Sequence, residues 1–196
     1  MRYLEIKYKA VVKDTNSVFD LSEKPKVVPL GAGLLHDFVE KALEKVKPGK
    51  TYKFEFEKPF GDRDENKIKL VPLSEFTRRK IKPIPGLIVK IDGKRGIIRS
   101  VSGGRVTVDF NHPLAGKDLY YEVEVIKEVT DLEDKIKGLI EFLFEIDREN
   151  IEVQITDKKI RIKVLGKDLP ERHWELLEKY IPELKDYEKS SENIQK

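Results

Sequence analysis

Val108-Asp109-Phe110-Asn111-His112-Pro113-Leu114-Ala115-Gly116 leads almost directly into Leu119-Tyr120-Tyr121-Glu122-Val123-Glu124-Val125. The first stretch is turn chemistry, Asn-His-Pro and then Ala-Gly, with no periodic apolar face. The second alternates, with Leu119, Tyr121, Val123 and Val125 on one face and Tyr120, Glu122 and Glu124 on the other. An irregular loop that delivers the chain into a half-buried strand is the anchor from which the other elements are placed.

Upstream, residues 3–12 alternate as a strand, with Tyr3, Glu5, Lys7 and Lys9 opposite Leu4, Ile6, Tyr8 and Ala10. Leu34, Leu35, Phe38, Val39, Ala42, Leu43 and Val46 form one apolar stripe and predict a helix, which Pro48-Gly49 stops. Leu35 and Val39 then share a helix face. Thr51 to Glu57 alternates Tyr52, Phe54 and Phe56 against charge, so a short helix across a bent antiparallel sheet is expected.

Pro72, Pro83, Pro85 and Gly86 argue against a long helix in the next segment. Leu87–Ile91, Gly96–Val101 and Arg105–Phe110 read as three strands joined by Asp92-Gly93 and Ser102-Gly103-Gly104, which are hairpin signals. After Val125 the pattern changes to an α-β-β-α order. It comprises a helix over 131–146, strands over 151–155 and 160–165, and a second helix stopped by Pro182. Asp168 with Glu171 reads as that helix's capping box, with Pro170 in its first turn. From Glu188 onward a disordered tail is expected.

The 196 residues include no cysteine, which removes disulfides, thiolate metal sites and cysteine nucleophiles. The N-terminus lacks a hydrophobic leader core, and no apolar run approaches the roughly 20 residues that cross a bilayer. A soluble cytoplasmic protein with no membrane partner is expected. Charged residues make up 38% of the chain, with one Met and two Gln, a composition that points to a thermophile. The net charge of +3 is unevenly spread, because residues 66–108 hold eleven Lys/Arg and two acids.

Searches for familiar catalytic machinery find nothing. His36, His112 and His173 have no partner at metal-ligand spacing, and there is no Gly-x-Ser-x-Gly elbow or phosphate loop. Gly31-Ala32-Gly33 lacks the third glycine of a dinucleotide turn. No cofactor or metal is called for.

The order Val-Asp-x-Asn-His-x-Leu-Ala-Gly followed by Val-Glu-Val resembles the SlyD-like branch of the FKBP-type peptidyl-prolyl cis-trans isomerases. In that branch it marks the return from an inserted chaperone domain. The N-terminal half is similar in the same order. Tyr8 followed by Val18-Phe19-Asp20 resembles the family's Tyr…Phe-Asp pair, and Pro29-Leu30-Gly31-Ala32-Gly33 resembles its approach to the helix. Pro59-Phe60-Gly61 with Asp64-Glu65-Asn66 and Val71-Pro72 looks like the segment leading into the insert. The resemblance covers about residues 3–127. Residues 130–196 resemble the C-terminal extension of archaeal long-type members.

This resemblance implies an α+β fold. Its parts are a bent FKBP-like sheet with one short helix (1–65 plus 109–128), a β-rich inserted domain (66–108) and a C-terminal α-β-β-α domain (129–187). It implies a catalytic set of Tyr8, Asp20, Phe60 and Tyr121, with Phe19, Leu35, His36 and Val39 binding substrate, and His36 at the position of the family's substrate-binding amide. Client contacts would come from Ile81, Ile84, Leu87, Ile88, Ile97 and Ile98 of the insert, more apolar surface than a module of this size easily buries. The partners implied are proline-containing or unfolded polypeptides.

The implied chemistry suits these residue types. Rotation about the partly double C–N bond faces a barrier of roughly 18–20 kcal/mol. An apolar pocket that strips water from the amide favours the twisted state, in which charge separation is lost. Phe60 and Phe38 depart from the family, standing where it usually has Tyr and Gly. The missing Tyr hydroxyl removes a hydrogen bond worth about 0.5–1.5 kcal/mol. Apart from the resemblance, Tyr8, Phe19 and Tyr121 read equally well as sheet core. The departures also admit a binding-only chaperone with a vestigial isomerase site, and the basic segment admits RNA or ribosome binding.

Overall fold

In the computed structural model, which describes residues 1–165 and 170–194, strand β1 (Arg2–Val12) is the spine of a five-stranded sheet. Its N-terminal half pairs with β3 (Lys26–Leu30), in the register Arg2↔Leu30 to Ile6↔Lys26. Its C-terminal half pairs with β2 (Val18–Leu21), where a bulge falls between Ala10 and Val11. On its other side lies β9 (Leu119–Glu128), and beyond that β4 (Lys50–Phe56). The alternation that marked these strands is the alternation of their burial: Leu4, Ile6 and Ala10 of β1, and Leu119, Tyr121, Val123 and Val125 of β9, are all buried.

The helix α1 (Asp37–Leu43) is shorter than its apolar stripe implied, and it buries Val39 and Leu43. Gly31 and Gly33 hold positive φ, so the approach turns instead of winding. The Glu40 carboxylate reaches back to accept the amides of Gly33 (3.1 Å) and Leu35 (3.4 Å). Leu35 therefore precedes the helix and shares no helical face with Val39.

Tyr3 and Val27 are buried although they face away from Leu4 and Ile6, because the C-terminal segment packs there. One hydrophobic core joins them to Ile136, Leu139 and Ile140 of α3 (Leu132–Phe144) and to Trp174 and Leu177 of α4 (Glu171–Tyr180). The Tyr3 hydroxyl donates to the Tyr180 carbonyl, and the Val129 amide donates to Tyr3 O at 2.8 Å. Arg148 bonds Glu5 and Glu141, each at 2.6 Å, and the Pro25 carbonyl at 3.0 Å. Strands β10 (Ile151–Thr156) and β11 (Lys159–Leu165) form an antiparallel hairpin in the same core.

The expected disordered tail is instead β12 (Glu188–Ile194), paired in parallel with β11 from Lys159↔Glu188 to Leu165↔Ile194. Its polar sequence carries no strand pattern, and the backbone ladder holds it. Asp168, expected as a helix cap, lies outside the described residues; α4 begins directly after Pro170.

The chain divides into two compact units, Met1–Glu55 with Tyr120–Lys196, and Phe56–Leu119. The C-terminal segment, expected as a domain of its own, thus shares a unit with the N-terminal sheet. The second unit is a four-stranded antiparallel sheet in the order β5 (Ile68–Pro72), β8 (Arg105–Asp109), β7 (Lys94–Ser102), β6 (Ile88–Ile91). The short helix α2 (Leu73–Arg78) buries Phe76 against Val89, Ile98, Val106 and Val108. The prolines gave no sign of this helix. Pro72 sits at its N-cap position, where a missing N–H costs nothing.

Asp109, at the end of β8, is 2% exposed yet carries a charge. It accepts the amide (2.9 Å) and side-chain N–H (2.8 Å) of Asn111, two N–H groups of Arg99 (3.0 and 2.9 Å), and one from Arg63. Burial acts to raise its pKa, but the Asn111 bonds and the Arg99 and Arg63 guanidinium groups outweigh burial and hold it below the ordinary 3.8. No described helix is long and apolar enough to cross a membrane.

Two stability tests follow from this packing. A Cβ at Gly138 would collide with Cβ and both methyl carbons of Val27, so Gly138→Ala forces α3 away from β3. Overpacking of about 1–3 kcal/mol outweighs the helix-propensity gain of about 1 kcal/mol, so the variant unfolds at lower denaturant. Fluorescence of Trp174, the single tryptophan and part of that core, records it. A midpoint at or above wild type refutes the close approach.

Asp109→Asn should destabilise the Phe56–Leu119 unit by about 2–4 kcal/mol, read by amide exchange within that unit. Because the native pKa is depressed, the wild-type advantage is present above the ordinary carboxylate range and disappears as pH falls through the native value. Wild type and variant should therefore converge under acid conditions. A gap that persists there contradicts a charge-based role.

Candidate active site

Strands β1, β2 and β9 and the start of α1 bring Tyr8, Phe19, Asp20, His36, Phe38, Val39 and Tyr121 into the first unit, where ring contacts and shared electrostatics link most of them. Tyr8 is fixed first. Its amide donates to Ser22 Oγ at 2.7 Å, and the Ser22 amide donates to Tyr8 O at 2.9 Å. Ser22 is buried and ties β2 to β1 just beyond the bulge. The Tyr8 hydroxyl then donates to the Asp20 carboxylate, 3.2 Å from each oxygen.

Around this pair stands a wall of rings. Phe19 and Phe38 both meet Tyr121 edge to face, with centroids 5.8 and 6.2 Å apart. His36 stacks on Phe38 at 5.5 Å. Edge-to-face pairs direct each ring's positive rim at a neighbour's negative face, which fixes their angles as well as burying area. Val39 is nearly buried in α1, and Leu35 is half-buried in the approach to it.

The electrostatics are simple. Burial, and then the Asp20 charge, push the Tyr121 phenol up to about 12. Tyr8 rises further through burial, the Asp20 charge, its hydrogen bond to that carboxylate, and Tyr121. Both phenols are therefore neutral hydroxyl donors at physiological pH, beside one exposed carboxylate. Such a site offers apolar surface, hydrogen-bond donors and one fixed negative charge. It offers no activated nucleophile.

Phe60 belongs to the Phe56–Leu119 unit, where its ring stacks on His112 with centroids 4.1 Å apart. His112 Nδ1 accepts the Leu114 amide at 3.2 Å, which makes the imidazole part of a hydrogen-bonded loop. Among the candidate client residues, Ile84 and Ile88 are exposed at 51% and 65%, and Ile81, Leu87 and Ile97 are half-buried. Ile98 is 1% exposed, so it is core and offers no client contact. Its side chain points to the face that carries Phe76.

The sequence reading missed Phe38, Ser22, Leu70 and Val101. Phe38 was legible only as a departure from a family glycine, and Leu70 (63% exposed) lies in a strand with no alternation to reveal it.

Residues 69–114 match the family described as FKBP26, IF domain. Across a longer stretch the chain is 32% identical over 118 residues to a probable FKBP-type 16 kDa peptidyl-prolyl cis-trans isomerase of Pseudomonas fluorescens, covering 57% of this chain and 76% of that one. It is 32% identical over 110 residues to the FKBP-type 16 kDa peptidyl-prolyl cis-trans isomerase of Escherichia coli K12, covering 53% and 74%. It is 35% identical over 98 residues to the short-type peptidyl-prolyl cis-trans isomerase of Methanocaldococcus jannaschii, covering 49% and 62%. The chain belongs to the FKBP-type peptidyl-prolyl cis-trans isomerases.

Asp20→Asn tests the electrostatics of the site directly. Removing the negative charge takes away one cause that raises both phenols, so Tyr8 and Tyr121 should ionise at lower pH than in wild type. Alkaline titration of 13Cζ-labelled tyrosine by NMR follows each phenol separately. Unchanged Tyr8 and Tyr121 titrations would break the link to Asp20.

Proposed function

We propose that this chain is a SlyD-like isomerase and folding chaperone. It rotates X-Pro bonds in the Tyr8–Asp20–Tyr121 pocket and holds unfolded clients on the Phe56–Leu119 unit. The observation that carries the first half is the ring-walled cluster around Asp20, in a member of an isomerase family. Val39, Leu35, Phe19 and Phe38 supply the apolar contacts that desolvate the proline. The neutral hydroxyls and the Asp20 carboxylate orient the amide. Dewatering stabilises the twisted amide relative to the planar one, because the twisted form has lost its resonance dipole.

The match of residues 69–114 to the IF domain supports the SlyD-like reading, since it falls on the unit that interrupts the first one. Exposed Leu70, Ile84, Ile88 and Val101 support the client role, because a folded module of this size has no structural use for them in water. A binding-only chaperone remains the competing reading, favoured by Phe60 at the position of a family tyrosine. The basic charge of the same unit favours ribosome or nucleic-acid contact.

Exchange NMR on a short Ala-Pro-Phe peptide decides between catalysis and binding alone. Wild type should accelerate cis–trans exchange well above the uncatalysed rate. Asp20→Ala should lower kcat/KM about tenfold, or about 1.4 kcal/mol, while retaining the wild-type far-UV spectrum. Exchange at the uncatalysed rate with wild type would leave the binding-only reading standing.

A further inference from the structure

The ion pairs are distributed unevenly along the chain. In the first unit eleven of the 23 described Lys/Arg, Arg2, Lys13 and Arg148 among them, have an acidic partner among the described residues. Residues 66–108 differ. Of their eleven Lys/Arg, only Arg78 and Arg99 pair with an acid, and the other nine form no ion pair with a described residue. A surface that leaves so many cations uncompensated, beside exposed isoleucines, is built for something negative.

The positions of three of these cations narrow the partner. Lys67, Lys69 and Lys94 line one groove with Asn66, and Asp92 is the single acid in it. The groove's apolar lining is Val71, Ile91 and Phe110. Phe110 is also a wall of an adjoining groove, lined by Ile88, Ile97 and Arg95. Gly96 makes room for this ring, since a Cβ there would meet Phe110 Cδ1 at 2.9 Å and Val108 Cγ1 at 2.7 Å. One half-buried ring thus separates a lysine-rich compartment from an isoleucine-rich one.

We infer that this surface selects acidic-apolar polypeptide segments, in which Asp or Glu lies a few residues from Ile, Leu or Val. This inference rests on the client-binding reading above and specifies which clients are taken. Phe110 and the isoleucines accept the apolar side chains, and Lys67, Lys69 and Lys94 meet the carboxylates. An extended chain repeats its side chains on one face about every 7 Å, a spacing that delivers neighbouring residues to neighbouring compartments. A peptide fits this surface better than a nucleic acid does. The exposed apolar area has no counterpart on a phosphate backbone, and Asp92 would oppose phosphates inside the groove. The charge also speeds encounter, and salt screens both effects.

The full chain is tested with fluorescein-labelled peptides sharing one apolar core and flanked by Glu, Gln or Lys, with binding read by anisotropy. The Glu-flanked peptide should bind about tenfold more tightly than the Gln-flanked one in dilute buffer, and the difference should vanish at about 0.5 M salt. The triple variant Lys67→Glu, Lys69→Glu, Lys94→Glu should reverse the order and favour the Lys-flanked peptide. The neutral variant Lys67→Gln, Lys69→Gln, Lys94→Gln should abolish the preference, and it serves if the charge-reversed protein fails to fold.

Equal binding of Glu- and Gln-flanked peptides overturns the charge selection while leaving client binding intact. Selection that survives in the neutral variant overturns the assignment to this groove. Absence of binding by all three peptides overturns the client reading itself. Tight binding of a uridine homopolymer with a steep salt dependence, and no peptide binding, gives the surface to nucleic acid.

Discussion

Asp109 imposes the strictest local condition on the Phe56–Leu119 unit, because a carboxylate removed from water must have every oxygen lone pair answered. Three segments answer it. Arg99 comes from the bulged part of β7, Arg63 from the chain before β5, and Asn111 from two residues further on. Asn111 is itself spent on Asp64, accepting its amide and donating to its carbonyl, each at 2.9 Å. Beyond this knot the two chain segments continue to hold each other. The Gly116 amide reaches Gly61 O at 2.7 Å, and the Lys58 amide reaches the Asp118 carboxylate at 3.0 Å. The Asp-x-Asn order is therefore structural chemistry. The acid gathers the strands, and the amide reads the neighbouring backbone.

How much of this was legible depends on where each residue's partners lie. Strands β1, β4 and β9 announce themselves because their alternation is enforced by burial on one face, and β7 and β8 through the Asp92-Gly93 and Ser102-Gly103-Gly104 turns that bound them. The start of α1 was misplaced because Glu40 satisfies loop amides from within the helix, a bond made by side-chain reach and invisible to periodicity. β12 was unreadable for the opposite reason. Glu188-Lys189-Ser190-Ser191-Glu192 has no apolar face, and its stability comes from backbone pairing to an existing strand. Tyr3 illustrates a third case. Its position on the polar face of β1 looked exposed until a segment more than a hundred residues away covered it.

The candidate active site shows the same division. Tyr8, Phe19, Asp20 and Tyr121 were found through the family resemblance, and the structure links them by a hydrogen bond, ring contacts and a shared charge. Phe38, which the resemblance marked as an anomaly, meets both His36 and Tyr121. A glycine replaced by an aromatic can be understood only through its contacts, and the sequence holds none of those. Ser22 was silent as well, because its buried hydroxyl acts on the backbone of Tyr8 from fourteen residues away.

The first unit is made from both ends of the chain and the second from its middle, and this has a consequence for synthesis. A ribosome releases β1 early, but the β9 strand that flanks it and the α3 and α4 residues that cover Tyr3 lie beyond residue 119. Every strand partner of β5 to β8 is complete once residue 119 has emerged. The middle of the chain can therefore finish folding while its beginning still waits, with β1 short of a neighbour and Tyr3 uncovered. During that interval the nascent protein carries an unsatisfied strand of its own while the unit from the middle of the chain is already finished.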